Sequence, residues 1–404
     1  MNRSFLIRAK SGLLFLILPV ILLLGLPARL PAGFILTANG AGLSDEFSDT
    51  VSYEASFSYG AAGRREASPK AKKRQQITGV SDLTLIVGER IRLRAAAKTM
   101  LTYAGNDAQV LRVTKDGVIK ALSPGRVKVT IQAASSSRYR RASKKINVTV
   151  ISQTKASKLR LQKTVNQAWA SRPSGNGSWA IQATEVKSGL TAACNNHRMQ
   201  AASLIKLFIM GAVYEDFDRL SARYGKAVLT SLLSPMIRIS SNSAANQLVV
   251  LLGSGSAGAG MKRVNSYCKD HGYKNTSMGR LLLQSRVTGD NYTSVKDCCH
   301  FLTQVALSAS GSDEKASMPY ARQMQSLLLG QTRRSKIPAG LPAGIKAANK
   351  TGELYNVEND AAILYRRDGT PWLVLTVMSE NLASPPGARS YIARAAGLIC
   401  KGLS

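Results

Sequence analysis

The segment Ser203–Val213 reads Ser-Leu-Ile-Lys-Leu-Phe-Ile-Met-Gly-Ala-Val, and wound as a helix it is apolar around its whole circumference. Such a helix cannot lie on a surface. It has to run through the centre of a domain thick enough to cover it on every side. Its one charged residue, Lys206, follows Ser203 by three positions and shares a face with it on the first turn. Lowering a lysine pKa from roughly 10.4 to 7–8 corresponds to about 3–4 kcal/mol in favour of the neutral amine, and desolvation with a second cation nearby can supply that. Lys206 is therefore expected to serve as general base toward the Ser203 hydroxyl.

The flanking pattern says what surrounds this helix. SWAIQATEV, a Lys187-Ser188-Gly189 turn and LTAAC predict a hairpin before it. After a mostly helical middle, strands return at Ile345–Ala348, Ala361–Tyr365 and Trp372–Met378, ahead of a last helix around Tyr391–Cys400. Strands at both ends enclosing helices imply one sheet built from the two termini, with helices packed on it.

Ser-x-x-Lys alone is weak, since Ser152–Lys155, Ser266–Lys269 and Ser312–Lys315 match it too. Lys-[Ser/Thr]-Gly also occurs twice, at Lys187 and Lys350. Order and context discriminate. Only Ser203 opens a buried helix, and it is followed by Ser240-Ser241-Asn242 in MIRISSNSAANQL and by Lys350-Thr351-Gly352 on an expected strand.

On these motifs the stretch from about Trp179 to Cys400 resembles the penicillin-recognising serine enzymes, the class A β-lactamase family in particular. AASLIKLF matches the nucleophile helix, and SSNSAANQL matches the Ser-Asp-Asn stretch with Ser241 in place of Asp. IPAGLPAG followed by NKTGE matches the last strand motif. The resemblance implies an α/β domain, an antiparallel sheet flanked by helices, over 153–404. It makes Ser203 the acylated nucleophile, Lys206 its activator and Ser240 the proton relay to the leaving nitrogen. Asn242 would bind a substrate amide. Lys350 and Thr351 would hold its carboxylate, with Arg333 or Arg334 as a further partner. The oxyanion hole would be the N–H groups of Ser203 and Glu353, with Gly352 required because a side chain there would obstruct the acyl group. One departure stands out. Class A enzymes deacylate through a loop glutamate, yet residues 247–294 contain none, only Asp270 and Asp290, both of which read as structural.

The first half is organised differently. Arg3, Arg8 and Lys10 precede an uncharged run from Ser11 to Ala28, so residues 1–40 read as a signal peptide or membrane anchor and the remainder as extracytoplasmic. Residues 41–76 read as a basic flexible linker. From 77 to 152 apolar residues alternate with polar ones, and Asp116-Gly117 marks a hairpin. TKDGVIKALSPGRVKVTIQA resembles a bacterial Ig-like group 2 domain, which implies a small all-β sandwich.

Net charge is +32, and Ala61–Thr164 holds 24 Lys/Arg against 5 Asp/Glu. That excess points to an anionic cell-wall polymer or membrane surface. Nucleic acid is not expected, because no aromatic residues interleave with the basic ones. Three histidines and the cysteine spacing argue against a metal site, no cofactor is implied, and a monomer is expected. Export permits one disulfide, Cys268 with Cys298 or Cys299. Three functions remain open at this level: a β-lactam hydrolase, a slow D-Ala-D-Ala peptidase or transpeptidase that traps penicillin, and a wall-adhesion protein with a degenerate hydrolase domain.

Overall fold

The computed structural model describes residues 70–311 and 317–403. Residues 1–40 with the Ser11–Ala28 run, residues 41–69 of the basic linker and Ser312–Lys315 lie outside them. No helix among the described residues is long and apolar enough to cross a membrane.

Lys73 bridges to Tyr139, and the Gln75 amide donates to Thr99, Ala134 and Arg140. The next seven strands are β1 (Leu83–Ile86), β2 (Arg90–Arg92), β3 (Leu101–Gly105), β4 (Leu111–Val113), β5 (Val118–Ala121), β6 (Gly125–Ala133) and β7 (Ala142–Ile151). They form a four-stranded sheet, β1-β7-β6-β3, and a three-stranded sheet, β2-β5-β4. Alternation explains the core between them. Val127, Val129 and Ile131 are buried with Ile146, Val148 and Val150, while the residues between them look outward. The Asp116-Gly117 hairpin forms as expected, with Val113 opposite Ile119.

The rest of the chain is built on a five-stranded antiparallel sheet. Helix α1 (Gln153–Ala170) leads into β8 (Ser178–Glu185) and β9 (Thr191–Cys194), with β10 (Met199–Gln200) and β11 (Tyr292–Thr293) pairing separately. Strands β12 (Lys346–Leu354), β13 (Val357–Tyr365) and β14 (Pro371–Glu380) return late, and β14 pairs with β8 to give the order β12-β13-β14-β8-β9. The sheet does join the two ends of this region. On β14, Leu373, Leu375 and Val377 face a core shared with α1 and the last helix, Pro385–Leu403. Val374 and Met378 face the core of the helical middle. With both faces covered, β14 from Trp372 to Met378 and the second half of β13 are almost continuously apolar.

Two expectations are corrected. Strand β13 starts at Val357, not Ala361, because Glu358, Asn359 and Asp360 are buried polar residues with internal partners rather than a turn. Cys268, Cys298 and Cys299 are thiols, so the Cys268 pairing with Cys298 or Cys299 does not form. The Cys299 thiol instead donates to Gln182 O and Thr376 Oγ1, and burial pushes the Cys268 and Cys299 thiols up to about 12.

Candidate active site

Ser203 sits on a short 3₁₀ turn, Ala202–Leu204, that runs directly into the buried helix Ile205–Glu215. The preceding Ala202 has φ 47°, a left-handed conformation that alanine adopts at a cost, and it sets the turn against β12. One helical turn on, Lys206 is fully buried. Its Nζ lies 2.6 Å from Ser240 O, 2.7 Å from Asn242 Oδ1, 3.1 Å from Ser203 Oγ and 3.2 Å from Ser240 Oγ.

Proton counting gives this geometry a chemical meaning. An ammonium offers three N–H groups, whereas a neutral amine offers two and a lone pair. The two shortest contacts go to oxygens that can only accept, Ser240 O and Asn242 Oδ1. Two N–H groups satisfy both, and the lone pair is left for a hydroxyl proton, that of Ser203 or Ser240. Burial and then the charge of Arg333 bring Lys206 from an ordinary 10.5 down to about 7.

Ser240 is the junction of the cluster. It links the helices Lys226–Arg238 and Asn242–Leu252 with φ 63°, and its Oγ also accepts from Lys350 Nζ at 2.9 Å. Ser241 caps the second helix by accepting from Ala244 N, a task that serine and aspartate perform about equally well. The departure from Ser-Asp-Asn therefore leaves the cap intact. Lys350, on β12, is wholly buried and also donates to Thr351 O at 2.7 Å. Burial first, then repulsion from Lys206, hold it well below the usual lysine range.

Strand β12 is the sheet edge, so one row of its backbone groups is free of β13. Thr351 is buried beside Lys350, and Glu353 is half-buried and paired with Arg333 and Lys336. The arginine pair divides. Arg333 bears electrostatically on Lys206 and Lys350, while Arg334 engages Ala347 O and Asn349 Oδ1 rather than any group of the cluster. Gly352 has a packing role of its own. A Cβ there would lie 2.8 Å from Ala201 O and 3.3 Å from Ala202 Cβ, so the missing side chain lets β12 approach the turn that carries Ser203. Gly352→Ala is expected to push strand and turn apart, costing about 1–3 kcal/mol of stability. Denaturant melts measure this.

Sequence reasoning missed the support behind the strand. Lys336 is fully buried, 2.6 Å from Glu358 and 3.1 Å from Glu353, and it donates to Asn359 O. Arg389 holds the other Glu358 oxygen, and Asp360 accepts from Asn349 Nδ2 and Ile337 N. The available signal was three polar residues, Glu358-Asn359-Asp360, at the head of an apolar strand.

Within residues 247–294, neither aspartate joins the cluster. Asp290 is buried and locked by Arg280 at 3.0 Å and Arg286 at 2.9 Å, and Asp270 accepts from Ser266 at a helix end. Leu282 is fixed by both backbone groups to the Asn246 amide, at 2.8 and 3.1 Å. It lines a 540 Å³ cavity together with Asn242, Asn246 and Leu283.

Residues 219–403 match the beta-lactamase enzyme family. The match covers less than half of the chain, and it makes this C-terminal region similar to that family. The relationship is distant. A beta-lactamase from Citrobacter koseri is 24% identical over 203 residues, spanning 49% of this chain and 66% of that protein. Among solved structures, a beta-lactamase from Burkholderia phymatum is 20% identical with a TM-score of 0.50, covering 62% of this chain and 100% of its own. A PBP-A variant, solved as an acyl-enzyme complex with penicillin G, is 19% identical with a TM-score of 0.48 over 60% of this chain and 95% of its own. The family match begins after Ser203 and Lys206, whose assignment rests on motif and geometry.

Proposed function

We propose that residues 153–404 act outside the cytoplasm as a serine hydrolase that opens β-lactam amides through an acyl-Ser203 intermediate, with release of the acyl group as the slow step. The contact pattern of Lys206 carries this reading: a buried amine whose two acceptor-only partners leave its lone pair for a hydroxyl proton. Lys206 takes the Ser203 proton as Oγ adds to the lactam carbonyl. The developing oxyanion would lie against the N–H groups of Ser203 and Glu353. As the C–N bond breaks, Ser240 gives its proton to the leaving nitrogen and is reprotonated through Lys206, with Lys350 fixing its orientation. Lys350 and Thr351 would donate to the substrate carboxylate and Arg333 would add its charge, while Asn242 would donate its amide N–H to a side-chain carbonyl.

A second reading shares this machinery: slow attack on D-Ala-D-Ala peptides. It is favoured by one observation, that Leu282 and Leu283 rather than a carboxylate line the loop wall beside Asn242. Residues 77–152 are read as a bacterial Ig-like domain, supported by two sheets sharing one core. The apolar run at Ser11–Ala28 supports export.

Intact-mass spectrometry after penicillin addition tests the proposal. The expected result is a penicilloyl adduct that persists for minutes or longer and is lost in Ser203→Ala. No adduct on the unaltered chain would overturn the acyl-enzyme. Its disappearance within seconds would overturn slow release.

A further inference from the structure

The region from Lys73 to Ile151 contains 16 Lys/Arg and 4 Asp/Glu, and the structure shows what the four acids do. Asp82 accepts from the Asn147 backbone and side chain, Glu89 from Ile86 N, and Asp107 from Gln109 N and Val110 N. Asp116 accepts from Thr114 in the hairpin turn and pairs with Arg92. The carboxylates are thus occupied mostly by local backbone and turn bonds, and few are left to neutralise cations.

The consequence is sharpest on the outer face of the three-stranded sheet. Arg90 stands opposite Lys120, and Lys120 opposite Arg112, so three cations line up across β2, β5 and β4. Neighbouring strands are about 4.8 Å apart, which makes this row a closely spaced line of like charges. All three residues are exposed, and none forms an ion pair among the described residues. Arg92, two residues beyond Arg90 on β2, is also exposed and pairs with Asp116. Directly opposed like charges weaken a sheet, so this sheet carries a load that a partner of opposite charge would relieve. The aromatic residues of the region do not offer a base-stacking platform on this face: Tyr103 packs into the core beneath Gly117, and Tyr139 lies against Arg138.

We propose that the Arg90–Lys120–Arg112 face binds a linear phosphodiester polyanion without bases, the chemistry of a polyol-phosphate wall polymer. The row matches a flexible chain of repeated single charges, and recognition is by charge spacing rather than by hydrogen-bonded shape.

The test is binding of the full chain to immobilised poly(glycerol phosphate). The Arg90→Gln/Arg112→Gln/Lys120→Gln triple is compared with Arg126→Gln/Lys128→Gln/Lys145→Gln, which removes the same charge from the outer face of the other sheet. Binding is expected to persist near physiological salt, to weaken at least about tenfold in the first triple and less than about threefold in the second. The first triple is also expected to melt at or above the temperature of the unaltered chain, since repulsion is removed. Equal losses in both triples would reduce the effect to net charge and overturn the face. No binding of the polymer, or tighter binding of phosphatidylglycerol vesicles or of an oligonucleotide, would overturn the occupant. Should the triple melt early, Lys120→Gln alone breaks the row at its centre, and unchanged binding by that variant would overturn the proposal.

Discussion

Lys206→Met is expected to slow acylation of Ser203 by a factor on the order of 10²–10⁴, the usual contribution of a general base. Methionine keeps an unbranched stem in the buried channel and removes only the amine, so the loss reports chemistry more than packing. The unaltered enzyme should show an acylation rate that rises with pH through about 7, because the reactive form of Lys206 is the neutral one. The methionine variant should lack that ascending limb. Stopped-flow acylation with a chromogenic β-lactam between mildly acidic and mildly alkaline pH reads both effects. A variant within tenfold of the unaltered rate, with the limb intact, would place the base elsewhere.

The same group links pH to folding. Its folded pKa lies below its unfolded value of 10.5, so between about 7 and 10.5 the unfolded chain binds a proton that the folded chain does not. The contribution of Lys206 to stability therefore rises with pH across that window and is least favourable below about 7. A buried site that is destabilising when protonated is the cost of having a neutral amine near pH 7.

Leu282→Glu is expected to shorten the life of the acyl-enzyme by a factor on the order of 10² or more. Leu282 is clamped through its own N–H and C=O to Asn246, so the new side chain inherits a fixed starting point on the wall it shares with Asn242. Its side chain is largely buried, which raises a carboxyl pKa toward the range where a general base is effective. The existing loop acid cannot be recruited, because Asp290 is held by Arg280 and Arg286. Time-resolved intact mass measures the outcome directly. An unchanged adduct lifetime in a variant that still acylates would show that water activation is not what limits release.

Much of this domain was legible from residue order. Ser203 and Lys206 could be placed one turn apart on a buried helix because three-residue spacing and an all-round apolar pattern are local properties. The Lys350 strand was legible from its Lys350-Thr351-Gly352 motif and its place in the motif order, although β12 itself does not alternate. The Glu358-Asn359-Asp360 segment was not, because a polar triplet in a strand reads as a turn until its partners Lys336, Arg389 and Asn349 are known to converge on it. Arg333 and Arg334 were indistinguishable as neighbours, and only their opposite directions on the sheet edge separate them. The packing role of Gly352 was also hidden, since it depends on how near the Ser203 turn comes to β12.

Sequence by itself determined the elements: a central helix that must be buried, a hydroxyl and an amine on its first turn, strands at both ends, and a first half rich in unbalanced cations. Tertiary structure decided what those groups can do. It placed Ser240, 34 residues from Lys206 and 110 from Lys350, between the two amines. The acidity of an amine depends on the water it loses and the charges it gains, and neither is defined until distant segments pack together.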